Sequence, residues 1–322
     1  MKHYYKIFFV AVFAAIGVSQ LHAQDPEFTQ FYANPLYLNP ALAGNRICPR
    51  VNVNYRQQWP GVYGTYSTVG VSVDRYSYKV KGGVGLMLMQ DRAGKGTLNT
   101  TGIGLIYAPK ITLSKTSSIT FALQAGYWQK QVDWSKLTFG DQIDPRRGFT
   151  QQTDEPAPAQ TTSGNFDLAT GVVFNTRYFF AGFAAHHLFQ PNESFLNGQS
   201  PLPRKFTGHA GALIPLSNSK YEEESYISPE ILYQQQGDFK QLNLGVYVKK
   251  GPIVGGLWYR GNDSFIILLG VEAGLLKLGY SYDVTVSKLT NATAGAHELS
   301  LGYQFSCKTP HKHYRADFCP SF

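Results

Sequence analysis

The side chains most able to do chemistry are sparse in this chain and sit in patterns that favour none of the common reactions. His186 and His187 are adjacent. Successive side chains of an extended strand point to opposite faces, so the pair is not expected to meet one substrate. Ordinary strand-end histidines are the plainer reading. A Ser/His/Asp set is defined by mutual hydrogen-bond geometry, and no G-x-S-x-G element singles out a serine. His311, His313, Cys307 and Cys319 match no standard zinc spacing and read as part of a short polar tail. Asp141 and Asp144 in GDQID, beside Arg146 and Arg147, could hold calcium or a partner, although Asp side chains more commonly stabilise turns. The expectation is a protein with no catalytic residue, no cofactor and no metal.

Three cysteines, Cys48, Cys307 and Cys319, leave one unpaired if a disulfide forms. Cys48 precedes the first expected strand and Cys307 follows the last, so closing a barrel would bring them together. Cys319 competes equally for either partner. One bridge near the two chain ends is expected, with its connectivity open.

The elements that must position these residues are strands. From about residue 50 apolar residues recur with period two. Val51, Val53 and Tyr55 alternate with Asn52, Asn54 and Arg56. Leu276, Leu278, Tyr280, Tyr282, Val284 and Val286 alternate with Lys277, Gly279, Ser281, Asp283 and Thr285. Segments such as Leu276 to Val286 and Ser118 to Gln129 reach the roughly 9–11 residues that cross a bilayer, longer than the ~5–6 of most sandwich strands. About fourteen antiparallel strands are expected, near 50–58, 65–75, 82–91, 97–108, 117–130, 164–175, 177–188, 204–214, 225–235, 239–249, 252–260, 264–272, 275–286 and 296–306. Phe265 to Leu269 is apolar on both faces, which leaves its register open. Trp59, Tyr63, Trp128, Trp134, Trp258 and Tyr259 near segment ends suit aromatic girdles.

The fold class is therefore all-β, a transmembrane outer-membrane barrel over 48–307. Loop parity agrees. The long connections around 131–163, 188–203 and 287–295 all follow odd-numbered strands, as external loops would if both termini are periplasmic. The stretch 215–224, with Glu222, Glu223 and Glu224, is an exception. On this register Arg56, Lys277, Asp283 and Glu298 face the lumen, with Trp59, Asp141 and Trp258 in the lumen or at the rim.

Composition supports an exported sheet protein with a large apolar surface. Aromatics reach 14%, charged residues only 16%, and there are 32 Gly; soluble domains average about 25% charged. The formal net charge is +8, but Lys and Arg are scattered rather than gathered into the basic stripe that nucleic acid would demand. Lys2 and Lys6, the apolar Ile7–Val18 and the small Ala23 read as a cleaved signal peptide, residues 1–23. Residues 24–47 do not alternate and contain Pro26, Pro35 and Pro40, which disfavour helix and central strand alike. Phe28, Phe31, Tyr32, Leu36, Tyr37 and Leu38 argue against a free tail. An irregular, extended plug is expected at the periplasmic mouth or in the lumen, with Phe28, Phe31, Tyr32, Asn34, Pro35, Asn39 and Pro40 as its contact residues. Residues 308–322 are read as a short periplasmic tail.

QDPEFTQFYANPLYLNPALAG, Gln24 to Gly44, resembles the opening signature of the PorP/SprF family of outer-membrane proteins of the type IX secretion and gliding machinery. The resemblance continues through YRQQWPG at 55–61, LTFGDQID at 137–144, GLWYR at 256–260, GYSYDVTVSKL at 279–289, AHELSLGYQF at 296–305 and the terminal CPSF at 319–322. It implies a barrel in the outer membrane that receives, translocates or anchors secreted cargo. The implied cargo is adhesin-like, carries a conserved C-terminal domain and is held at the cell surface. The resemblance also implies a periplasmic partner linked to the peptidoglycan. A passive or substrate-specific channel for small molecules is the competing reading.

Overall fold

In a computed structural model the chain is described over residues 24–307, apart from 63, 145, 157, 159, 196–197, 217–224, 262 and 287–293. The expected signal peptide, the tail with Cys319, Tyr63 and Glu222–Glu224 lie outside the described residues.

Fourteen long strands form one antiparallel barrel. They are β1 (Arg50–Gln58), β2 (Tyr66–Ser77), β3 (Gly82–Ala93), β4 (Leu98–Ser114), β5 (Ser117–Val132), β6 (Thr162–Thr176), β7 (Phe179–His186), β8 (Lys205–Ala212), β9 (Tyr226–Gln236), β10 (Phe239–Lys250), β11 (Ile253–Arg260), β12 (Ser264–Ala273), β13 (Leu276–Thr285) and β14 (Ala296–Gln304). Each pairs with its neighbours in sequence. Pairing of β1 with β14, from Arg50 opposite Gln304 to Gln58 opposite Ala296, closes the circle. The structure bonds Cys48 to Cys307 just beyond this seam.

Of the strand ends that differ from the periodic reading, two have a plain cause. β4 runs on past Pro109, where the pattern suggests an end. Pro cannot donate to a ladder and is tolerated at edges; Pro109 lies opposite Gly82, the first residue of β3, where pairing on that side is ending. The shorter β7 stops at His186 because His187 takes a left-handed conformation, φ 57°.

The alternation turns apolar side chains outward, as lipid requires. Leu105, Leu123, Leu257 and Leu269 are all more than half exposed. Facing inward are Asn52, Asn54, Arg56, Thr68, Ser72 and Asp74, all buried. What buries them is the chain itself. Residues 24–47 run through the lumen, and Phe31, Leu36, Leu38 and Leu42 form the centre of an apolar core inside the barrel. This explains the doubly apolar β12. Phe265, Ile267 and Leu269 face outward, while Ile266 and Leu268 point in at 1% and 0% exposure and join that core.

The extended conformation expected for 24–47 gives way to two single helical turns. Pro35–Leu38 is α-helical and Pro40–Leu42 is a 3-10 turn. Pro suits the first position of a helix, where its missing N–H would have no partner anyway. Each Asn-Pro pair starts one turn, and Asn39 caps the second by accepting the Ala41 N–H at 2.9 Å.

Candidate functional site

The lumen segment is held along its whole path, starting at the barrel end that carries the long connections 133–161 and 187–204. External loops of such barrels are as a rule the longer ones, and the mouth at that end is accordingly called the outer mouth. There the Asp25 N–H donates to Gln236 at 2.9 Å, and Asp25 pairs with Nε2 of His187 at 2.8 Å. His187 is clamped from its other side by Asp167, again at 2.8 Å. Burial works against a charge on this imidazole. The Asp25 and Asp167 carboxylates outweigh it and raise His187 to about 10. Asp25 is also desolvated, yet His187 and Lys205 hold it well below the usual carboxylate range.

A step deeper, Glu298 accepts the backbone N–H of Thr29 at 2.6 Å and its hydroxyl at 2.8 Å. Gln30 donates to the Glu298 carbonyl at 2.9 Å. Arg56 lies between Asp283, at 2.9 Å, and Glu298, at 3.6 Å. Arg260 joins Asp283 at 3.3 Å and Glu27 at 3.8 Å. Buried charges are tolerated when paired and hydrogen-bonded; here the pairing ties β1, β11, β13 and β14 to the segment they surround.

At mid-lumen Asn39 approaches the wall where two strands lack side chains. Its Nδ2 lies 3.1 Å from Nε2 of His209 and 3.3 Å from the carbonyls of Val172 and Phe183. A Cβ on Gly171 would fall 2.1 Å from Asn39 Oδ1. Asn34 uses the same device, its Nδ2 2.9 Å from the Cβ position of Gly70. Phe31 packs edge-on against Trp258 at 5.0 Å, and Tyr32 against Phe180 at 5.5 Å. At the opposite end the Gly44 N–H donates to Asp74 at 2.8 Å, and Arg50 binds that carboxylate at 2.7 Å.

The sequence-derived residues divide accordingly. Phe28, Phe31, Tyr32, Asn34, Pro35, Asn39 and Pro40 are all buried inside the barrel. Arg56, Asp283 and Glu298 form one charged cluster. Trp258, grouped with girdle aromatics by its place near a strand end, is 2% exposed and faces the lumen; Trp128 also packs on the inner core. Interior cover from the segment, which periodicity does not reveal, makes an inward tryptophan favourable. Trp59 lines an open vestibule at the outer mouth and meets Tyr66 edge-on at 5.7 Å. Asp141 is far from the lumen set: exposed in the 133–161 connection, it accepts the Asp154 N–H at 2.8 Å and the Thr153 hydroxyl. These bonds lower its pKa. His186 and His187 do not point to opposite faces. The positive φ at His187 breaks the alternation, so both rings are buried, 6.4 Å apart. Asp25, Thr29, Gln30 and Asp167 were not singled out by sequence; the signal available was their polarity within an apolar segment or at inward strand positions.

Two of the spaces beside residues 24–27 are sizeable. One is the vestibule, about 620 Å³, lined by Trp59, Gln241, Arg260 and Asp263 among others. The other is a cavity of about 240 Å³ beneath the 187–204 connection, lined by Trp128, Asp167, His186 and His187 among others. Among the described residues no group of three or more His, Cys, Asp or Glu is placed to hold a metal.

The model of the type IX secretion system membrane protein PorP/SprF family matches residues 20–303. The chain belongs to the PorP/SprF family. It is a membrane barrel of type IX secretion and resides in the outer membrane. No curated protein matches this family member. Among solved structures, it is similar to the Ralstonia pickettii toluene transporter TbuX, at 7% identity and TM-score 0.50 over 84% of this chain and 93% of that one. A Pseudomonas aeruginosa FadL homologue matches at 10% identity and TM-score 0.45, over 80% of this chain and 90% of that one. Acinetobacter baumannii Omp33 matches at 8% identity and TM-score 0.44, over 80% and 99%. At such identities the likeness to TbuX is one of fold.

Proposed function

We propose that this PorP/SprF barrel works as a closed receptor, receiving the conserved C-terminal domain of type IX cargo at its outer face and holding that cargo, adhesin-like proteins among it, at the cell surface. The observation that carries this reading is the filled lumen. Residues 24–47 bury Phe31, Leu36, Leu38 and Leu42 at 0–5% exposure. Each such side chain contributes about 1.5–3 kcal/mol when withdrawn from water. With the ion pairs and hydrogen bonds of Asp25, Thr29, Gln30 and Asn39, that favours docking on the barrel over threading through it. The periplasmic end, with Gly44, Arg50 and the seam disulfide, is the face left for a peptidoglycan-linked partner. A small-molecule channel would instead require 24–47 to leave the lumen.

Capture of the tagged barrel from gently solubilised outer membranes tests the proposal. Recovery of a large secreted protein with its C-terminal domain is expected. Recovery of the barrel alone, with cargo still displayed on cells lacking it, would overturn the reading in favour of a channel.

A further inference from the structure

The 240 Å³ cavity beneath the 187–204 connection carries hydrogen-bonding capacity that neither the lumen segment nor cargo docking uses. Its apolar wall is made by Tyr37, Met87, Met89, Trp128, Pro191 and Leu202. Asp91, Gln124, Asp167 and His186 also line it. Gln124, Asp167 and His186 are 3%, 4% and 9% exposed. Each has a buried polar atom with no hydrogen-bond partner among the described residues: Oε1, Oδ1 and Nε2 respectively. A buried polar group without a partner costs about 1–3 kcal/mol. Three around one cavity mark a place where donors belong, and two of the three are acceptor oxygens.

The charges point the same way. Four carboxylates line the cavity, Asp25, Asp91, Asp167 and Glu193, against the cations Lys130 and His187. Asp25 and Asp167 share His187, Asp25 also lies 3.6 Å from Lys205 behind the cavity wall, and Glu193 pairs with Lys130, so four carboxylates face three cations. Asp91 accepts the Thr68 hydroxyl at 2.6 Å and, among the described residues, has no cation within ion-pair distance. The cavity is therefore net acidic, with aromatic and thioether surface beside the acid. An aromatic face attracts a cation further.

We infer that this cavity is a binding site for a primary ammonium group on a short aliphatic or aryl stem. Three N–H donors on one centre meet the unfilled acceptors and the Asp91 carboxylate, and the stem lies on Trp128 and the methionines. The volume is below the roughly 300–1,000 Å³ of drug-sized sites, which limits the ligand to one short chain or one ring. Entry is from the vestibule, which adjoins the cavity across Gln24, Asp25, Pro26, Tyr66 and Asp91. The site goes beyond cargo anchoring and does not depend on it. The same chemistry is offered by a free amine and by a lysine side chain of a polypeptide.

Titration calorimetry on the full-length barrel in detergent tests this with n-hexylamine, hexan-1-ol, hexanoate and a short peptide bearing one lysine. Saturable 1:1 binding of hexylammonium, about tenfold or more tighter than hexanol or hexanoate, is expected from one charge-assisted contact. Binding of the peptide at comparable strength assigns the source to a polypeptide side chain; peptide binding far weaker than hexylammonium assigns it to a free amine. Both Asp91→Asn and Gln124→Leu should weaken hexylammonium by about tenfold while the heat-modifiable barrel band persists in electrophoresis. Equal binding of hexanol, or no binding of any amine to the unaltered protein, would overturn the assignment without recourse to a variant.

Discussion

Glu298 of the closing strand holds Thr29 of the lumen segment by two bonds to a single carboxylate oxygen, one from the backbone N–H and one from the hydroxyl. The same carboxylate faces Arg56. One side chain thus joins the barrel seam, the interior charge cluster and the segment that fills the lumen.

Removing that carboxylate should loosen all three. Glu298→Ala leaves Arg56 with Asp283 alone and strips the Thr29 backbone N–H of its acceptor, the hydroxyl keeping only Ser281. Breaking a buried pair costs about 3–5 kcal/mol. The barrel should unfold at a clearly lower temperature, followed by the heat-modifiable band, and residues 24–47 should become protease-sensitive. Glu298→Gln keeps an acceptor for Thr29 and should lie between the two. Unchanged melting and protection in the alanine variant would remove the pair from the account.

The contact between Asn39 and the bare wall should be sterically specific. Gly171→Ala places a Cβ 2.1 Å from the Asn39 oxygen, so it should displace the second helical turn and destabilise the fold by about 1–3 kcal/mol. In an Asn39→Ala background the obstruction is gone and most of that cost should vanish. A double-mutant cycle reads the coupling; additivity of the two changes would contradict the contact.

His187 links the lumen segment to pH. Its pKa rises from the ordinary 6.5 to about 10 in the folded protein. The sign follows from linkage: a raised folded-state pKa gives stability that is complete below 6.5 and is lost as pH climbs from there through 10. Asp25, held low, acts oppositely, its contribution fading as pH falls below 3.8. Thermal stability should therefore decline across pH 6.5–10, and the slope should flatten in His187→Gln. A wild-type slope no steeper than the variant's would dismiss the clamp.

The bond between Cys48 and Cys307 joins the two ends of the barrel sequence. Non-reducing peptide mapping should return these two peptides linked, with Cys319 alkylatable. Replacing both cysteines by serine should lower stability by about 2–4 kcal/mol. Three alkylatable thiols, or Cys319 linked to either partner, would contradict the assignment.

Much of this was legible in the sequence because lipid on one face and a polar lining on the other impose strict period two. β1 and the terminal strands follow it almost residue for residue, and long connections fall after β5, β7 and β13, with the one after β8 breaking the parity. What escaped the pattern is what the lumen segment causes. Ile266, Leu268, Trp258 and Trp128 are apolar residues turned inward onto the apolar core that Phe31, Leu36 and Leu42 help to form, and a one-dimensional period cannot show that core. The paired inward turn of His186 and His187 depends on one backbone torsion at His187. Asn34-Pro35 and Asn39-Pro40 were visible as punctuation, yet each proline opens a helical turn, a use of Pro that its spacing alone does not distinguish from an extended path.

The sealed lumen is the premise on which anchoring rests, and ion current through the purified barrel in a planar bilayer tests it most directly. A sealed lumen gives no steady conductance from the intact protein, and openings once Glu298→Ala frees residues 24–47. Steady current through the unaltered barrel would contradict it and make this a channel.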